Sequence, residues 1–589
     1  MRKHQAFRLL ALLLCLSLML SGCKRHDQLS AVLNDQLSRI ELDHIRIETI
    51  AREETDDEPL RFGDMVYERP SLEELDARIS KAEEAMNRPD SYQTVEALLD
   101  DCFLYYYHYS TMYTLSDIRS CLDMTDEYYA AEYNWCSENF ALAQQAMDGL
   151  YYACAASPMA SVLERNYFWD GFSDQYSDAD ASIYSDRMVE LMQEESNLIS
   201  EYRALSTDPI VSFRGEEASI YDLMARLHGE SYNQAVIAYY DQYNEAFSDL
   251  FIRMMAVREQ QAAELGYDSF EEMQYDYGFE RNYTPAQADA YLRDIRTWIV
   301  PLYTELLDGN ASGRVWSNDV SEEKLRWMIG GAAEEIGGGV AEAYDFMTER
   351  ELCDLRVDSR KAQMSFQTYL DDFEAPYLFL NATGKTDDIL SFAHEFGHFC
   401  DAYVNLDSYE TIDLAEVYSQ GMEYLMLSQL RGQLSERELG NLARLKMIDT
   451  VELYAQQASF AAFEHEVYAI GSANLTAEKI NEISRQTAID YGYYEEGYDP
   501  FYSESWVDIV HFFEHPFYVI SYPVSNDLSM QIYEMELQEE GSGMAHYLSV
   551  LERDFSGLEG LIEAGGFESP FAEGRIEKVA AVARQVLAS

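Results

Sequence analysis

The stretch Thr386-Asp387-Asp388-Ile389-Leu390-Ser391-Phe392-Ala393-His394-Glu395-Phe396-Gly397-His398 decides how this chain is read. Oxygen-bearing side chains at Thr386, Asp387 and Asp388 suit the positive end of a helix, and the residues after them continue it. Four positions separate His394 from His398, so on a helix both imidazoles project to the same side. Two such rings can bind one divalent metal, with Glu395 beside them and within reach of a water on that metal. A catalytic zinc site also needs a third protein ligand and one open position.

The next polar stripe supplies the ligand. From Thr411 the sequence reads as a second helix, on which Glu416, Ser419, Gln420 and Glu423 share one face. A polar stripe on an otherwise apolar helix needs partners, and a metal with its histidines would provide them. Glu416 is the expected third ligand, with Asp413 as its competitor. Glu423, two turns on, is a candidate acceptor for the outer N–H of a ligand histidine.

Upstream, Ala362–Tyr369 and Pro376–Asn381 are short β-type runs joined by Asp371-Asp372-Phe373-Glu374, a β-ribbon leading into the first helix. Most of the remaining chain has helical spacing. Ser71-Leu72-Glu73-Glu74 reads as a capping box, and Thr94–Leu122 and Asp126–Ala155 as long helices. Their many tyrosines, among them Tyr105, Tyr106, Tyr109, Tyr113 and Tyr151, serve either helix packing or a cleft wall. The pattern breaks at Thr207-Asp208-Pro209, and Ile210–Phe213 reads as a strand. Gly330-Gly331 and Gly337-Gly338-Gly339 suggest a mobile loop or hinge. The expected fold is therefore mainly α, with a helical domain over 46–206 and a catalytic domain over 207–589.

The first residues read as targeting rather than fold. Arg2, Lys3 and Arg8 precede a short apolar run, Leu9–Leu20, and then Leu20-Ser21-Gly22-Cys23, similar to a bacterial lipobox. Residues 1–22 are the expected signal peptide, Cys23 the lipidated residue and 23–45 a tether. The expected location is outside the cytoplasmic membrane, held by lipid alone. The formal net charge of −65 argues against nucleic acid as a partner. Beyond Cys15 and Cys23, six cysteines show no C-x-x-C spacing and are expected to be mostly buried thiols.

His-Glu-Phe-Gly-His followed by Glu416-Val417-x-Ser419-Gln420-x-x-Glu423 resembles the thimet oligopeptidase and oligoendopeptidase F family of zinc metallopeptidases. The lead-in Leu380-Asn381-x-Thr383-Gly384-x-x-Asp387-Asp388 is similar to oligoendopeptidase F, as is a third block, Trp506–Phe512 with Phe517–Tyr522. The resemblance implies a two-part helical fold with a deep substrate channel. It implies one Zn²⁺ on His394, His398 and Glu416, and oligopeptide substrates. It also implies that His511 and Tyr522, and less directly Tyr518, face the substrate carbonyl. Family members often carry a further His where this chain has Asp401. The interval from His398 to Glu416 is shorter here, and His515 competes with His511.

The expected reaction is hydrolysis of oligopeptides by water on zinc, with Glu395 as general base and His511 and Tyr522 stabilising the oxyanion. One rival is a dipeptidyl carboxypeptidase on the same scaffold, using a cation such as Arg360, Lys361 or Lys385 to clasp the substrate carboxylate. Another is a non-catalytic oligopeptide-binding lipoprotein, which has no need of Glu395 or Glu416. Cys400, two residues past His398, reads as buried packing and not as a nucleophile.

Overall fold

The computed structural model describes residues 60–88, 91–169, 171–176, 186–206, 209–308, 318–358, 360–362, 364–406, 411–494, 499–552 and 557–588. The expected signal peptide, Cys23 and tether lie outside the described residues. Among the described residues no helix is long and apolar enough to cross a membrane.

The first long helices among the described residues are α1 (Leu72–Met86), α2 (Tyr92–Leu122) and α3 (Glu127–Ala156). Ser71, Ser91 and Asp126 cap their N-termini, each accepting from a backbone N–H of the first turn. Such a cap contributes about 1 kcal/mol. At Ser71 only half of the expected box forms. Its side chain accepts from the Glu74 N–H, but its own N–H goes to the Tyr105 hydroxyl. The tyrosines pack chiefly between helices. Tyr106, Tyr109, Tyr113 and Tyr151 are buried, and Tyr106 stacks on Phe140 at 5.7 Å between centroids. Aromatic pairs of this kind add about 0.5–1.5 kcal/mol beyond area burial.

Helix α4 (Asp186–Ser206) follows, then a hairpin of β1 (Ile210–Phe213) and β2 (Glu216–Ser219), then α5 (Glu230–Leu265). The glycine-rich segment is not a loop. Gly330 and Gly331 lie inside α6 (Glu322–Ile336), and only Gly337 breaks the chain before α7 (Gly338–Glu349). Gly330 is required by close packing, since a Cβ there would stand 2.7 Å from the Tyr344 ring.

A three-stranded sheet comes next: β3 (Cys353–Asp354), β4 (Phe366–Leu370) and β5 (Ala375–Phe379), in the order β3-β5-β4. The antiparallel β4–β5 ribbon has the turn at Asp371–Phe373 that the sequence indicates. Its tip is tied to α2, where Asp372 N–H donates to Thr111 Oγ1 and Asp372 Oδ2 lies 2.7 Å from His108 Nδ1. β5 is buried along its whole length and packs under the next helix, α8 (Asp388–Asn405).

Helices α9 (Ile412–Gln429), α10 (Glu436–Ile470), α11 (Val510–Glu514), α12 (Ser521–Gln538) and α13 (Ser542–Leu551) complete the frame of the site. Two hydrophobic cores run through the molecule. The larger joins α1–α3 to the sheet, α8, α9 and α12. The second joins α4 and α5 to part of α10 and to Trp506, Val507, Phe512 and Phe513, and so draws on residues from both sides of position 206. All six cysteines after Cys23 are free thiols. Five are buried in helices, and Cys353 is half-buried on β3.

Candidate metal centre

The loop before α8 is ordered by one carboxylate. Asp388 accepts from the N–H groups of Thr383, Gly384 and Lys385 and from the Thr383 hydroxyl. It thus joins the helix N-terminus to the end of the ribbon and fixes the angle at which α8 leaves the sheet.

Helix α8 then runs against α9 at very short range, and Gly397 is the reason. A Cβ there would stand 2.5 Å from Ser419 Cα and 2.6 Å from Tyr418 O, both backbone atoms that cannot move aside. The glycine inside the five-residue motif therefore lets the two helices meet beside the histidines. The consequence is direct. Glu416 Oε2 lies 3.6 Å from His394 Nε2 and 3.9 Å from His398 Nε2, and the donor atoms of the three residues all lie within 4.8 Å of one another. The interval between the helices, though short, brings Glu416 to the histidines.

This donor set fits a divalent ion. Two imidazole nitrogens and one carboxylate oxygen, with no thiolate, form the kind of three-ligand group that leaves a coordination position open. Among the described residues it is the only such group of His, Cys, Asp and Glu. His394 is oriented from behind, its Nδ1 lying 2.9 Å from Glu423 Oε1, so that Nε2 faces Glu416. Glu423 is itself held by Lys446 Nζ at 2.8 Å. Lys446 is buried on α10, 4.7 Å from the centre of the Tyr424 ring. Its only sequence signal is a lone lysine in register with the buried Leu442 and Thr450 of its helix. Asp413, the competing ligand, is absent from the group. It is buried and paired with Arg281 at 3.4 Å. Asp401 accepts from the Asn405 side chain at 2.6 Å.

The electrostatics separate the acidic groups by role. Burial raises the Glu395 carboxyl to about 7, with Glu416 and Glu423 adding to the rise against His394. Burial opposes charge on Glu423 too, yet Lys446 and His394 hold it down at about 2. Burial also works against a charged His394, but its bond to Glu423 and the charge of Glu416 carry it up to about 9. His398, with no such bond, is pushed by burial down to about 4.

The downstream residues form a second cluster. The His511 ring lies 5.1 Å from Tyr518 and 6.1 Å from Tyr522, and the two tyrosine rings are 5.3 Å apart. His515 lies 6.4 Å from Tyr518 and 6.5 Å from His511. Burial, reinforced by the negative charge of Glu416, raises the Tyr522 hydroxyl to about 12 and raises that of Tyr518 as well. Both tyrosines are therefore neutral hydroxyls at ordinary pH. The three cations once open as carboxylate clasps are engaged elsewhere. Arg360 pairs with Asp358 and Asp123, Lys361 with Asp354, and Lys385 with Asp319.

Residues 62–174 match the peptidase M3 N-terminal domain, and residues 340–556 match peptidase family M3. No curated protein matches the sequence. Among solved structures, the chain is similar to PZ peptidase A with an inhibitor, at 21% identity and a TM-score of 0.69. It is also similar to a protein assigned as oligoendopeptidase F, at 23% and 0.68, and to another so assigned from Bacillus anthracis strain Ames, at 22% and 0.66. Each comparison covers 90% of this chain and 99% of the other. These likenesses establish a mainly helical fold of the oligoendopeptidase type. With both family domains present and together spanning more than half of its length, the chain belongs to peptidase family M3.

Proposed function

We propose that this protein is a zinc-dependent endopeptidase of oligopeptides. The observation that carries the reading is the convergence of His394, His398 and Glu416 from two helices, with the buried Glu395 on the same turn as the histidines. Zn²⁺ held by those three residues would supply a Lewis acid that polarises the scissile carbonyl and acidifies the attacking water. Glu395, poised near neutrality, accepts the proton of that water and delivers it to the leaving amine. Glu423 and Lys446 keep His394 in one tautomer and one orientation. Tyr522, protonated throughout the working range, donates to the oxyanion together with His511. Tyr518, its ring 5.3 Å from that of Tyr522, packs beside it and restricts its orientation. β4 is an outer strand of its sheet, and its edge would hold an extended peptide by strand addition.

Lys361, buried against Asp354, is committed as a carboxylate clasp could not be, and Arg360 and Lys385 each pair with an aspartate at the surface, which supports an endopeptidase over a dipeptidyl carboxypeptidase. We also place the mature chain outside the cytoplasmic membrane, anchored by lipid on Cys23. The decisive experiment is mass spectrometry of products from a mixed peptide library, with and without chelator. Chelator-sensitive internal cleavage restored by Zn²⁺ is expected. Peptide binding without cleavage would point to the oligopeptide-binding lipoprotein, and release of C-terminal dipeptides alone to the exopeptidase.

A further inference from the structure

The segment from His511 to Tyr522 crosses from one hydrophobic core to the other. Phe512 and Phe513 belong to the second core, while Phe517, Val519 and Ile520 belong to the first. At the crossing Phe517 adopts φ +66°, a left-handed conformation unfavourable for an aromatic residue. Such a backbone persists only where its surroundings hold it. Three buried ionisable side chains, none in a recognised sequence block, do so at three points. Arg258 of α5 donates to the carbonyls of Phe512 (3.1 Å) and Phe513, the end of the helix that carries His511. Glu464 of α10 accepts the Phe517 N–H at 2.7 Å. Arg281, in the loop before Tyr283, donates to Ser521 Oγ at 2.8 Å, one residue from Tyr522.

Arg281 has a second reach. Its guanidinium lies 3.4 Å from Asp413, one helical turn before Glu416, and 4.5–5.5 Å from the ring centres of Tyr275, Phe279 and Tyr283. The same α9–α12 contact is closed by Ser525, whose hydroxyl donates to the carbonyl of Asp413, and by Ser529, which donates to that of Val417. Arg281 therefore joins the start of the metal-ligand helix to the start of the tyrosine helix. Its side chain is fully buried, so its bonds compete little with water.

We infer that Arg258, Glu464 and Arg281 form a clamp that positions the His511–Tyr522 segment, with Arg281 as the positioning residue that sets Tyr522 relative to Glu416. The inference rests on the proposed carbonyl-facing role of Tyr522. Lysine at 281 keeps the charge but loses the fork that reaches Asp413 and Ser521 together. For Arg281→Lys with a fluorogenic peptide from the cleaved set, kcat should fall about 10–100-fold, with KM within about twofold and metal content unchanged. In a Tyr522→Phe background the same change should cost less than about threefold, because a positioning residue has nothing left to position. Losses that multiply in the double variant, or a lowered Tm with unchanged kcat per metal-loaded enzyme, would overturn the inference. Ser521→Ala, a change of one buried hydroxyl, provides the same readout if Arg281→Lys does not fold, with an expected kcat loss of about 3–10-fold. Hydrogen exchange gives an arm independent of turnover. Amides of residues 511–522 should exchange about tenfold faster in Arg281→Lys while those of α9 do not, and equal rates would remove the clamp. A wild-type enzyme that cleaves no peptide would instead sink the proposed function, leaving the exchange result to stand alone.

Discussion

The two parts of the site are held in opposite ways. The proposed metal ligands lie on α8 and α9, neighbours in the chain that meet because Gly397 admits the backbone of Ser419. The His511–Tyr522 segment has no such local support. It bridges two cores, passes through a strained Phe517, and is held by buried polar side chains from α5, α10 and the Arg281 loop, up to 255 residues away. The first arrangement follows from helical periodicity and one small residue. The second requires most of the molecule to be folded before its groups are in place. Metal binding and transition-state stabilisation should therefore fail separately.

The largest expected effect breaks the chemistry and leaves both supports intact. Glu395→Gln should lower kcat by about 10³-fold or more at unchanged metal content, measured by steady-state hydrolysis beside elemental analysis. Next, Gly397→Ala attacks the local support. The added methyl meets backbone at 2.5–2.6 Å, so the helices must part, with a stability loss of about 3 kcal/mol and loss of tight metal binding. An alanine variant that melts and binds metal like the wild type would show that the helix contact does not set the site. Glu423→Gln keeps shape but frees His394 from its charged partner, and competition with a chelating dye should show metal affinity reduced about 10–100-fold.

A change of melting temperature by a few degrees tests the distant support through pH. Burial raises the Glu464 carboxyl to about 8, and Arg258 and Arg281 oppose this only in part. A carboxyl with a raised folded-state pKa stabilises the fold fully below its unfolded value near 4.5. That contribution is lost as pH rises to about 8. Wild-type Tm should thus decline from pH 5 to 8 relative to Glu464→Gln, by a few degrees and on the order of 2–4 kcal/mol. The amide can still accept from Phe517. Parallel Tm profiles would mean that Glu464 is ionised in the fold.

Much of the first support was legible in the sequence. The i, i+4 histidines, the stripe from Glu416 to Glu423 and the ribbon before α8 are local patterns, and local patterns survive folding. The capping box at Ser71 was half legible, because a distant Tyr105 took the backbone N–H that Glu74 was expected to meet. The glycine-rich segment was misread as a mobile loop or hinge, since Gly330 marks a close approach to Tyr344 that no neighbouring residue reveals. Asp413 and Glu416 lie one turn apart on α9, and the pairing of Asp413 with Arg281, far away in the chain, is what sets it apart from Glu416.

The sequence by itself determined the helical class, the faces on which His394, His398, Glu416 and Glu423 stand, and the family to which they point. A residue's face on a helix depends only on its spacing. The tertiary structure alone decided which buried charges meet. Lys446 reached Glu423, Arg281 took Asp413 and Ser521, and Arg258 and Glu464 took the backbone around Phe517. A buried ionisable group must find a partner, and which partner it finds depends on packing between elements from 23 to 254 residues apart.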